Sequence, residues 1–216
     1  MVSIIVPIYK EKNLSTFLEQ FLNLKGEFEL IFVSGDNNSY DTQNFKLLKS
    51  KKGRGTQMNF GAKHAKYPIL WFLHADSKIN KNSILKIESF LKIHELGAFK
   101  IKFDSNKPLM KICAFMSNLR LKFKSIAFGD QGMFIKKELF YKLGEFKEIS
   151  IMEDYDFSLK AKKNGFKFKI LDGFIMTSSR RFMQNGILKT MLKMQFSRLM
   201  FKTGFSDEKI ARFYNA

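Results

Sequence analysis

The sequence predicts an α/β protein with a mostly parallel, twisted sheet flanked by helices. Residues 2–6 and 29–33 are continuous apolar, β-branched runs, as expected of strands buried on both faces. The helical pattern between them completes a strand–helix–strand unit, which joins parallel strands. The chain has 216 residues, of which 45% are hydrophobic, enough for one sizeable domain over residues 1–216.

The first helix is predicted over residues 14–24, with Asn13 as its N-cap. Its apolar stripe consists of Leu14, Phe17, Leu18, Phe21 and Leu22. Further helices are predicted over residues 56–66, 83–92, 108–123, 153–163 and 186–202. Further strands are predicted over residues 46–49, 69–73, 97–103, 133–136 and 166–171.

The strand over residues 46–49 is predicted to be antiparallel or absent. The segment between Asp41 and Lys46 is too short for a helix, and a parallel crossover normally needs a dozen or more residues.

Bulk composition limits the classes of function. The single cysteine, Cys113, excludes an internal disulfide and a cysteine-cluster zinc site, and it fits a reducing compartment. The N-terminus lacks the pattern of a secretory signal, and no apolar run has the roughly 18 residues of a membrane-spanning helix. A cytoplasmic protein is therefore predicted. The net charge of +18 predicts attraction to polyanions, but no RNA-binding signature accompanies it.

Acidic side chains follow three of the predicted strands, in the sequences PIYKE, SGDNNSYD and HADS. Ligands of parallel sheets bind outside the carboxyl ends of the strands, so Glu11, Asp36, Asp41 and Asp76 are expected to converge there. Asp76 could hold Mg²⁺ or Mn²⁺, which prefer carboxylate and phosphate oxygens. The alternative is a carboxylate that caps the following helix.

Two further motifs lie at predicted helix starts. The segment KKGRGTQMNFG (residues 51–61) could place Arg54 and a helix N-terminus against a phosphate, or could be a solvated basic turn. The segment MEDYD (residues 152–156) could provide Asp154 as a general base, or only acids that pair with the helix dipole.

Two predicted helices, 108–123 and 186–202, mix apolar residues with lysine and arginine. Such C-terminal amphipathic helices could rest on an anionic bilayer or pack on the body of the domain.

Taken together, these motifs resemble the family 2 glycosyltransferases, which have the GT-A fold. SIIVPIYKE, DNNSYD, FLHADS and MEDYD match the opening strand, the D-x-x-S-x-D signature, the D-x-D position and the E-D base motif of that family. The chain looks most like the bacterial branch associated with radical-SAM/selenodomain genes. The ordered motifs of that branch stand here at residues 53–62, 72–76, 129–132, 152–154 and 178–181.

This resemblance implies a metal-assisted, inverting transfer of a sugar from a nucleoside-diphosphate sugar to an acceptor hydroxyl. Asp154 would be the catalytic base, and Asp76 with His74 would hold Mn²⁺ or Mg²⁺. Asp36 would bind the base, and Arg180 or Arg181 would steady the leaving diphosphate. The substrate-binding residues implied by the family are Pro7, Tyr9, Glu11, Asp36, Arg54, Gln57, His74, Ala75, Asp130, Gln131, Glu153, Arg180 and Arg181. Residues 1–105 would form the nucleotide-binding half, and residues 106–216 the acceptor side with the C-terminal helices.

The chain departs from the family pattern at His74, where relatives often carry the first Asp of D-x-D, and imidazole suits Mn²⁺ better than Mg²⁺. Phe182 replaces a common Trp, and the absence of Q-x-x-R-W argues against a processive synthase. A nucleotidyltransferase, a nucleotide-binding protein without transferase activity, and a basic protein that binds polyanions or nucleic acid remain alternatives. A specific nucleic-acid partner is not expected. The acceptor, including a lipid-linked one on the cytoplasmic face of a membrane, and the oligomeric state stay open.

Overall fold

The seven predicted strands form one sheet in a computed structural model that describes residues 1–12 and 14–215. The strand order is β3-β2-β1-β4-β6-β5-β7. The strands are β1 (Val2–Ile8), β2 (Phe28–Ser34), β3 (Lys46–Lys49), β4 (Ile69–Phe72), β5 (Leu96–Phe103), β6 (Phe134–Lys136) and β7 (Lys169–Thr177). Strand β6 runs antiparallel to β4 and β5, and the other pairings are parallel. The prediction of a mostly parallel α/β sheet is confirmed.

The described residues form nine helices. They are α1 (Leu14–Glu19), α2 (Arg54–Lys63), α3 (Ser83–Leu91), α4 (Pro108–Lys124), α5 (Lys137–Lys142), α6 (Glu153–Lys163), α7 (Arg180–Asn185), α8 (Ile187–Lys202) and α9 (Asp207–Asn215). Five of them, α2, α3, α4, α6 and α8, lie within three residues of the predicted bounds. Helices α5 and α7 have six residues each, too few for a clear apolar period in the sequence. Helix α9 has nine residues, as many as α3, and sequence reasoning missed it although Ile210, Phe213 and Tyr214 stand at helical spacing.

Helix α1 ends at Glu19, five residues earlier than predicted. The amides of Phe21, Leu22 and Leu24 instead donate to carbonyls three residues back, so the chain continues in tight turns. These turns keep Phe21 and Leu24 buried but leave Leu22 76% exposed, which corrects its place on the apolar stripe. The predicted N-cap, Asn13, lies outside the described residues.

The prediction that the strand over residues 46–49 is antiparallel or absent is wrong. Strand β3 pairs parallel with β2, in a register that runs from Ile31 opposite Lys46 to Ser34 opposite Lys49. The connection over residues 35–45 reverses the chain without a helix, because Gln43 and Asn44 both adopt positive φ angles, 49° and 70°. Two left-handed residues make the turn that a crossover helix would otherwise provide.

Strand β7 also differs from its prediction, since it runs to Thr177 rather than ending at residue 171. Asp172 and Gly173 look like a turn in the sequence. In the structure they form a bulge, because Phe99 of β5 pairs with Leu171 whereas Lys100 of β5 pairs with Phe174. The bulge allows β7 to continue along β5 and to deliver Thr177 and Ser178 to the carboxyl edge of the sheet.

The antiparallel strand β6 has a consequence for the site. Its first residue, Phe134, pairs with Trp71 near the end of β4, and the carbonyl of Met133 accepts a hydrogen bond from the amide of Phe72. The loop that precedes β6 therefore lies at the edge of the sheet where β4 ends.

Both faces of the sheet are covered, as the continuous apolar strands predicted. Helices α1 and α3 pack on one face, where Val6, Phe32 and Trp71 are buried. Helices α2, α5 and α6 pack on the other face, against Ile5 and Val33. At the C-terminal end, α9 inserts Ile210 between residues of the segment that leads into α6. Within the described residues, every helix is too short or too polar to cross a bilayer.

Gly61→Ala is expected to lower the free energy of unfolding by about 1–2 kcal/mol. A Cβ atom at position 61 would lie 2.5 Å from Cγ2 of Ile5 and 3.0 Å from Cγ2 of Val33. Overpacking costs about 1–3 kcal/mol, more than the roughly 1 kcal/mol that alanine gains over glycine in a helix. Urea unfolding measures the difference. In the control Gly173→Ala the new atom meets Phe99 at an ordinary 3.4 Å, so an equal loss in both variants would contradict the prediction.

Candidate functional site

Asp36 joins the ends of β1 and β2. Its carboxylate accepts hydrogen bonds from the amide of Lys10 (2.5 Å), the hydroxyl of Tyr40 (2.8 Å), the amide of Asn38 (2.9 Å) and the hydroxyl of Ser34 (3.2 Å). Partial burial raises the pKa of this carboxyl, but the hydrogen bonds outweigh it and lower the pKa to about 2. The site therefore has a fixed negative charge beside the tip of β1.

Three other predicted nucleotide-binding residues, Pro7, Tyr9 and Glu11, surround this tip. The ring of Tyr9 is 41% exposed, and Nζ of Lys52 lies 4.3 Å from its centroid. The amide of Glu11 donates to the hydroxyl of Tyr40, which in turn donates to Asp36. The structure thus brings together these four predicted residues at the ends of β1 and β2.

Gln57 faces inward beneath the same tips. Its Nε2 atom donates to the carbonyls of Ile8 (2.9 Å) and Val33 (2.6 Å), and its side chain is buried. Its Oε1 atom accepts from the amide of Gly53 at 3.4 Å. Gln57 therefore holds together two strand ends and the turn that leads into α2.

The carboxyl end of β4 and the start of α6 meet at Gly129. One carboxylate oxygen of Asp154 accepts from the Gly129 amide at 2.7 Å, and the other accepts from the Tyr155 amide at 2.7 Å. A Cβ atom on Gly129 would lie only 2.6 Å from Nε2 of His74, so the imidazole packs directly on the glycine backbone. Three motifs that are far apart in the sequence, HAD, GDQG and MED, are thereby brought into contact.

Burial lowers the pKa of His74 to about 4, with the positive charge of Arg54 acting in the same direction. The imidazole is therefore neutral at neutral pH and able to donate or accept a hydrogen bond. Burial raises the pKa of Asp130 to about 6, against the attraction of Arg120.

Met152 shapes the start of α6. It adopts a left-handed φ of 72°, a conformation that costs a non-glycine residue about 1–3 kcal/mol. The turn places Glu153 and Asp154 in the first turn of α6. Oε1 of Glu153 lies 2.9 Å from Nε of Arg54, while its buried Oε2 has no hydrogen-bond partner. Burial raises the pKa of Glu153, and Arg54 opposes that rise.

These elements enclose a cavity of about 350 Å³. Seven of the predicted site residues line it: Arg54, His74, Asp76, Asp130, Asp154, Arg180 and Arg181. The amide of Ser179 donates to Asp104 at 2.7 Å, which fixes the segment that carries the last two arginines. The other predicted site residues lie outside this lining, either at the tips of β1 and β2 or, in the case of Ala75, Gln131 and Glu153, behind the cavity wall.

Gln131 is fully buried behind that wall. Its Oε1 atom accepts hydrogen bonds from Nη2 of Arg120 at 2.8 Å and from the amide of Phe128 at 3.2 Å. Its Nε2 atom has no partner. The side chain therefore supports the loop that carries Gly129 and Asp130.

The polar lining residues that were not predicted as site residues include Thr177 and Ser178 at the end of β7, and also Arg198 of α8 and Tyr214 of α9. The last two come from the C-terminal helices. The ring of Tyr214 lies 4.5 Å from the guanidinium of Arg181. Arg198 was visible only as one of several cations on an amphipathic helix, and Tyr214 lies beyond the last predicted element. No motif marked either residue.

The residues present could hold a divalent metal only in part. No group of three or more His, Cys, Asp or Glu side chains suited to a metal occurs within residues 1–12 and 14–215. Asp76 is exposed on the cavity wall, and burial within its concave surroundings raises the pKa of its carboxyl. A metal held by Asp76, with His74 nearby, would need phosphate oxygens of the donor to complete its coordination, as is common for Mg²⁺.

The comparisons with known proteins agree with this geometry. The family model described as "Glycosyl transferase family 2" matches residues 3–144, about two thirds of the chain. The chain belongs to glycosyl transferase family 2. The family 2 prediction and the GT-A-like fold are thus confirmed, although the matched range ends before Asp154. A search of curated proteins found no match.

Solved structures show the same fold. A structure of TarS residues 1–349 from S. aureus in complex with UDP-GlcNAc is 20% identical, with a TM-score of 0.64, and the alignment covers 82% of this chain and 58% of that one. A mannosyltransferase from Pyrobaculum calidifontis, PcManGT, in complex with GDP-Man and Mn²⁺, is 19% identical with a TM-score of 0.60, over 81% and 56% of the two chains. This family 2 chain therefore spans less than two thirds of the length of either relative.

Asp130→Asn is expected to stabilise the protein above pH 6 by about 1–3 kcal/mol, and to give no gain below pH 4. The folded state raises the pKa of this carboxyl from 3.8 to about 6. Between these two pH values the folded protein binds the proton more tightly than the unfolded chain does, so wild type loses stability as the pH rises from 3.8 to about 6. Urea unfolding of both proteins from pH 3.5 to 8 measures the difference.

The matched control for this measurement is Asp172→Asn. The hydrogen bond from Lys100 lowers the pKa of exposed Asp172, so its loss is expected to cost a little stability above pH 4. A stability difference for Asp130→Asn that stays constant between pH 4 and 6 would refute the prediction.

Proposed function

We propose that the protein transfers a sugar from a nucleoside-diphosphate sugar to an acceptor hydroxyl, with inversion at the anomeric carbon. The observation that carries this proposal is the position of Asp154. In a family 2 chain, its carboxylate lines a cavity next to the end of β4, together with Asp76 and four arginines. The cavity therefore has a candidate base, a candidate metal ligand and positive charge for a diphosphate.

The donor nucleotide would bind at the tips of β1 and β2. Tyr9 presents an exposed aromatic ring there, and Asp36 would accept a hydrogen bond from a base or ribose group by exchanging one of its four protein donors. Of the relatives, TarS is recorded with UDP-GlcNAc and PcManGT with GDP-Man, so uridine and guanosine diphosphate sugars are the first donors to examine.

The diphosphate would extend from there toward Arg54, Arg180, Arg181 and Arg198, which line the cavity. Guanidinium groups bind phosphate oxygens in a bidentate manner and can stabilise the charge of the departing nucleoside diphosphate. A Mn²⁺ or Mg²⁺ ion bound by Asp76, with His74 beside it, would add Lewis-acid stabilisation of the same phosphates.

The acceptor would enter beside Asp130 and the loop over residues 129–132. Its hydroxyl oxygen attacks the anomeric carbon, the bond from that carbon to the diphosphate oxygen breaks, and Asp154 takes the hydroxyl proton. The amides of Gly129 and Tyr155 hold one carboxylate oxygen each, which fixes the orientation of the base. Each oxygen keeps a second lone pair to accept the proton.

The predictions of a family branch, of two halves of the chain, of a cellular location and of a lipid-linked acceptor also belong to this proposal. Five ordered motifs support membership of the branch associated with radical-SAM/selenodomain genes. Division into a nucleotide half (residues 1–105) and an acceptor half (residues 106–216) agrees with the separation of the nucleotide tips from the acceptor loop. A cytoplasmic location and a lipid-linked acceptor stay predictions.

Binding of a nucleoside diphosphate is expected to require both Mn²⁺ and Asp76. We expect one of UDP, GDP, CDP and ADP to bind tightly with Mn²⁺ in calorimetry, and Asp76→Asn to weaken that binding roughly tenfold or more. Asp172→Asn, which removes an exposed carboxylate outside the site, serves as the control. Metal-independent binding that survives Asp76→Asn would remove the metal from the mechanism. Equal, weak, salt-sensitive binding of all four would favour a polyanion-binding role.

Asp154→Asn is expected to lower kcat for sugar transfer by roughly 10²–10⁴-fold, because a general base contributes about that much. Nucleotide affinity is expected to stay near wild type, since the tips of β1 and β2 are unchanged. Asp156→Asn, two residues further along α6 and outside the cavity lining, is the matched control. Full activity in Asp154→Asn would exclude this residue as the base, and nucleotide binding without transfer in wild type would favour a silent relative.

A further inference from the structure

Helix α4 has an exposed apolar stripe. Leu109, Ile112, Met116 and Phe123 recur at intervals of three, four and seven residues, so they share one side of the helix. Their exposed fractions lie between 37% for Leu109 and 72% for Phe123. A helix that packed fully on the domain would bury this stripe.

Helix α8 has a second stripe of the same kind. Leu188, Leu192, Phe196 and Leu199 are between 53% and 60% exposed. The fully buried residues of α8 are instead Thr190 and Ser197. The sequence left open whether these two helices pack on the domain or rest on a bilayer. Each packs on the domain with part of its apolar residues, such as Met110 and Leu121 of α4, and presents one apolar stripe to solvent.

The two stripes border one groove. It has a volume of about 420 Å³ between α4 and α8, and Met116, Phe123 and Leu199 contribute to its lining. Met194 and Arg198 line both this groove and the cavity that contains Asp154. The groove is thus adjacent to the candidate active site.

The charge on this face has one sign. Helix α4 carries Lys111, Arg120, Lys122 and Lys124, and helix α8 carries Lys189, Lys193, Arg198 and Lys202. Neither helix contains an Asp or a Glu. The acids nearest in sequence are Asp104, four residues before α4, Asp130, six residues after α4, and Asp207 and Glu208 of α9.

We propose that the face formed by α4 and α8 docks on the surface of an anionic lipid bilayer. Exposed apolar side chains flanked by lysines are the pattern of helices that lie in the membrane interface. A second copy of the chain fits less well, because two such faces would bring cations against cations with no carboxylate between them.

Docking in this way has a consequence for the acceptor. Since the groove and the cavity share Met194 and Arg198 in their linings, the cavity would lie close to the lipid surface. An acceptor with a hydrocarbon tail could keep the tail in the groove or bilayer and place its hydroxyl near Asp154. The placement of the acceptor rests on the proposed sugar transfer, but docking itself does not.

Co-sedimentation with vesicles tests the docking surface in the absence of donor. Wild type is expected to bind vesicles of phosphatidylcholine with phosphatidylglycerol, and to bind pure phosphatidylcholine much less. Phe123→Ser with Leu192→Ser is expected to weaken binding roughly tenfold. The control is Leu22→Ser with Ile93→Ser, which removes two side chains of 76% and 81% exposure beside α1 and α3. No vesicle binding, or equal losses in both pairs, would overturn the proposal.

The charge contribution is tested with variants of equal net charge. Lys111→Gln with Lys189→Gln is expected to weaken binding to the anionic vesicles roughly tenfold, whereas Lys25→Gln with Lys81→Gln leaves it near wild type. Equal losses of vesicle binding in the two lysine pairs would indicate that net charge alone attracts the protein to the vesicles, and would refute docking through the face of α4 and α8. A change in oligomeric state instead of vesicle binding, measured by sedimentation velocity, would assign the face to self-association. Because nucleotide binding is measured separately, failure of docking leaves the proposed transfer intact.

Discussion

The hydrogen bond from the Gly129 amide to Asp154 is the contact on which the candidate site depends. It joins the loop before β6 to the start of α6, and the glycine at its donor end gives the ring of His74 room to pack against the backbone. Any side chain at position 129 would displace the imidazole, because its Cβ atom would lie 2.6 Å from Nε2 of His74. The strained turn at Met152 is consistent with this view, because it aims α6 so that the first helical turn reaches Gly129.

Two regions with different chemistry meet at the carboxyl edge of the sheet. At the tips of β1 and β2, Asp36 and Gln57 make their hydrogen bonds to the protein's own backbone and hydroxyl groups, which makes that region rigid. Around Asp154, ionisable groups are crowded in a concave space, and burial raises the pKa values of Asp76 and Asp130. The rigid surface at the strand tips would suit nucleotide binding. The cavity, whose burial raises the pKa of its carboxyl groups, would suit proton transfer.

Much of the fold could be predicted because buried strands and long helices leave clear apolar periods, and the bounds of α6 agree to the residue. The errors have local causes. The Asp172–Gly173 pair resembles a turn but forms a bulge, and left-handed residues replace a crossover helix before β3. The motifs singled out Asp76 and Asp154, and the structure places both in the lining of one cavity. The inward direction of Gln57 and the arrival of Arg198 from a distant helix depend on tertiary packing, which no local pattern encodes.

The reversed direction of β6 has a further consequence. A parallel strand contributes to this edge through the residues that follow it, whereas β6 contributes through the residues that precede it. The segment between β5 and β6, which includes α4, can therefore lengthen or shorten on the acceptor side while the order of the sheet and the nucleotide tips stay the same. Under the proposed division of the chain, donor choice and acceptor choice would be encoded in separate stretches, and evolution could exchange one without redesigning the other.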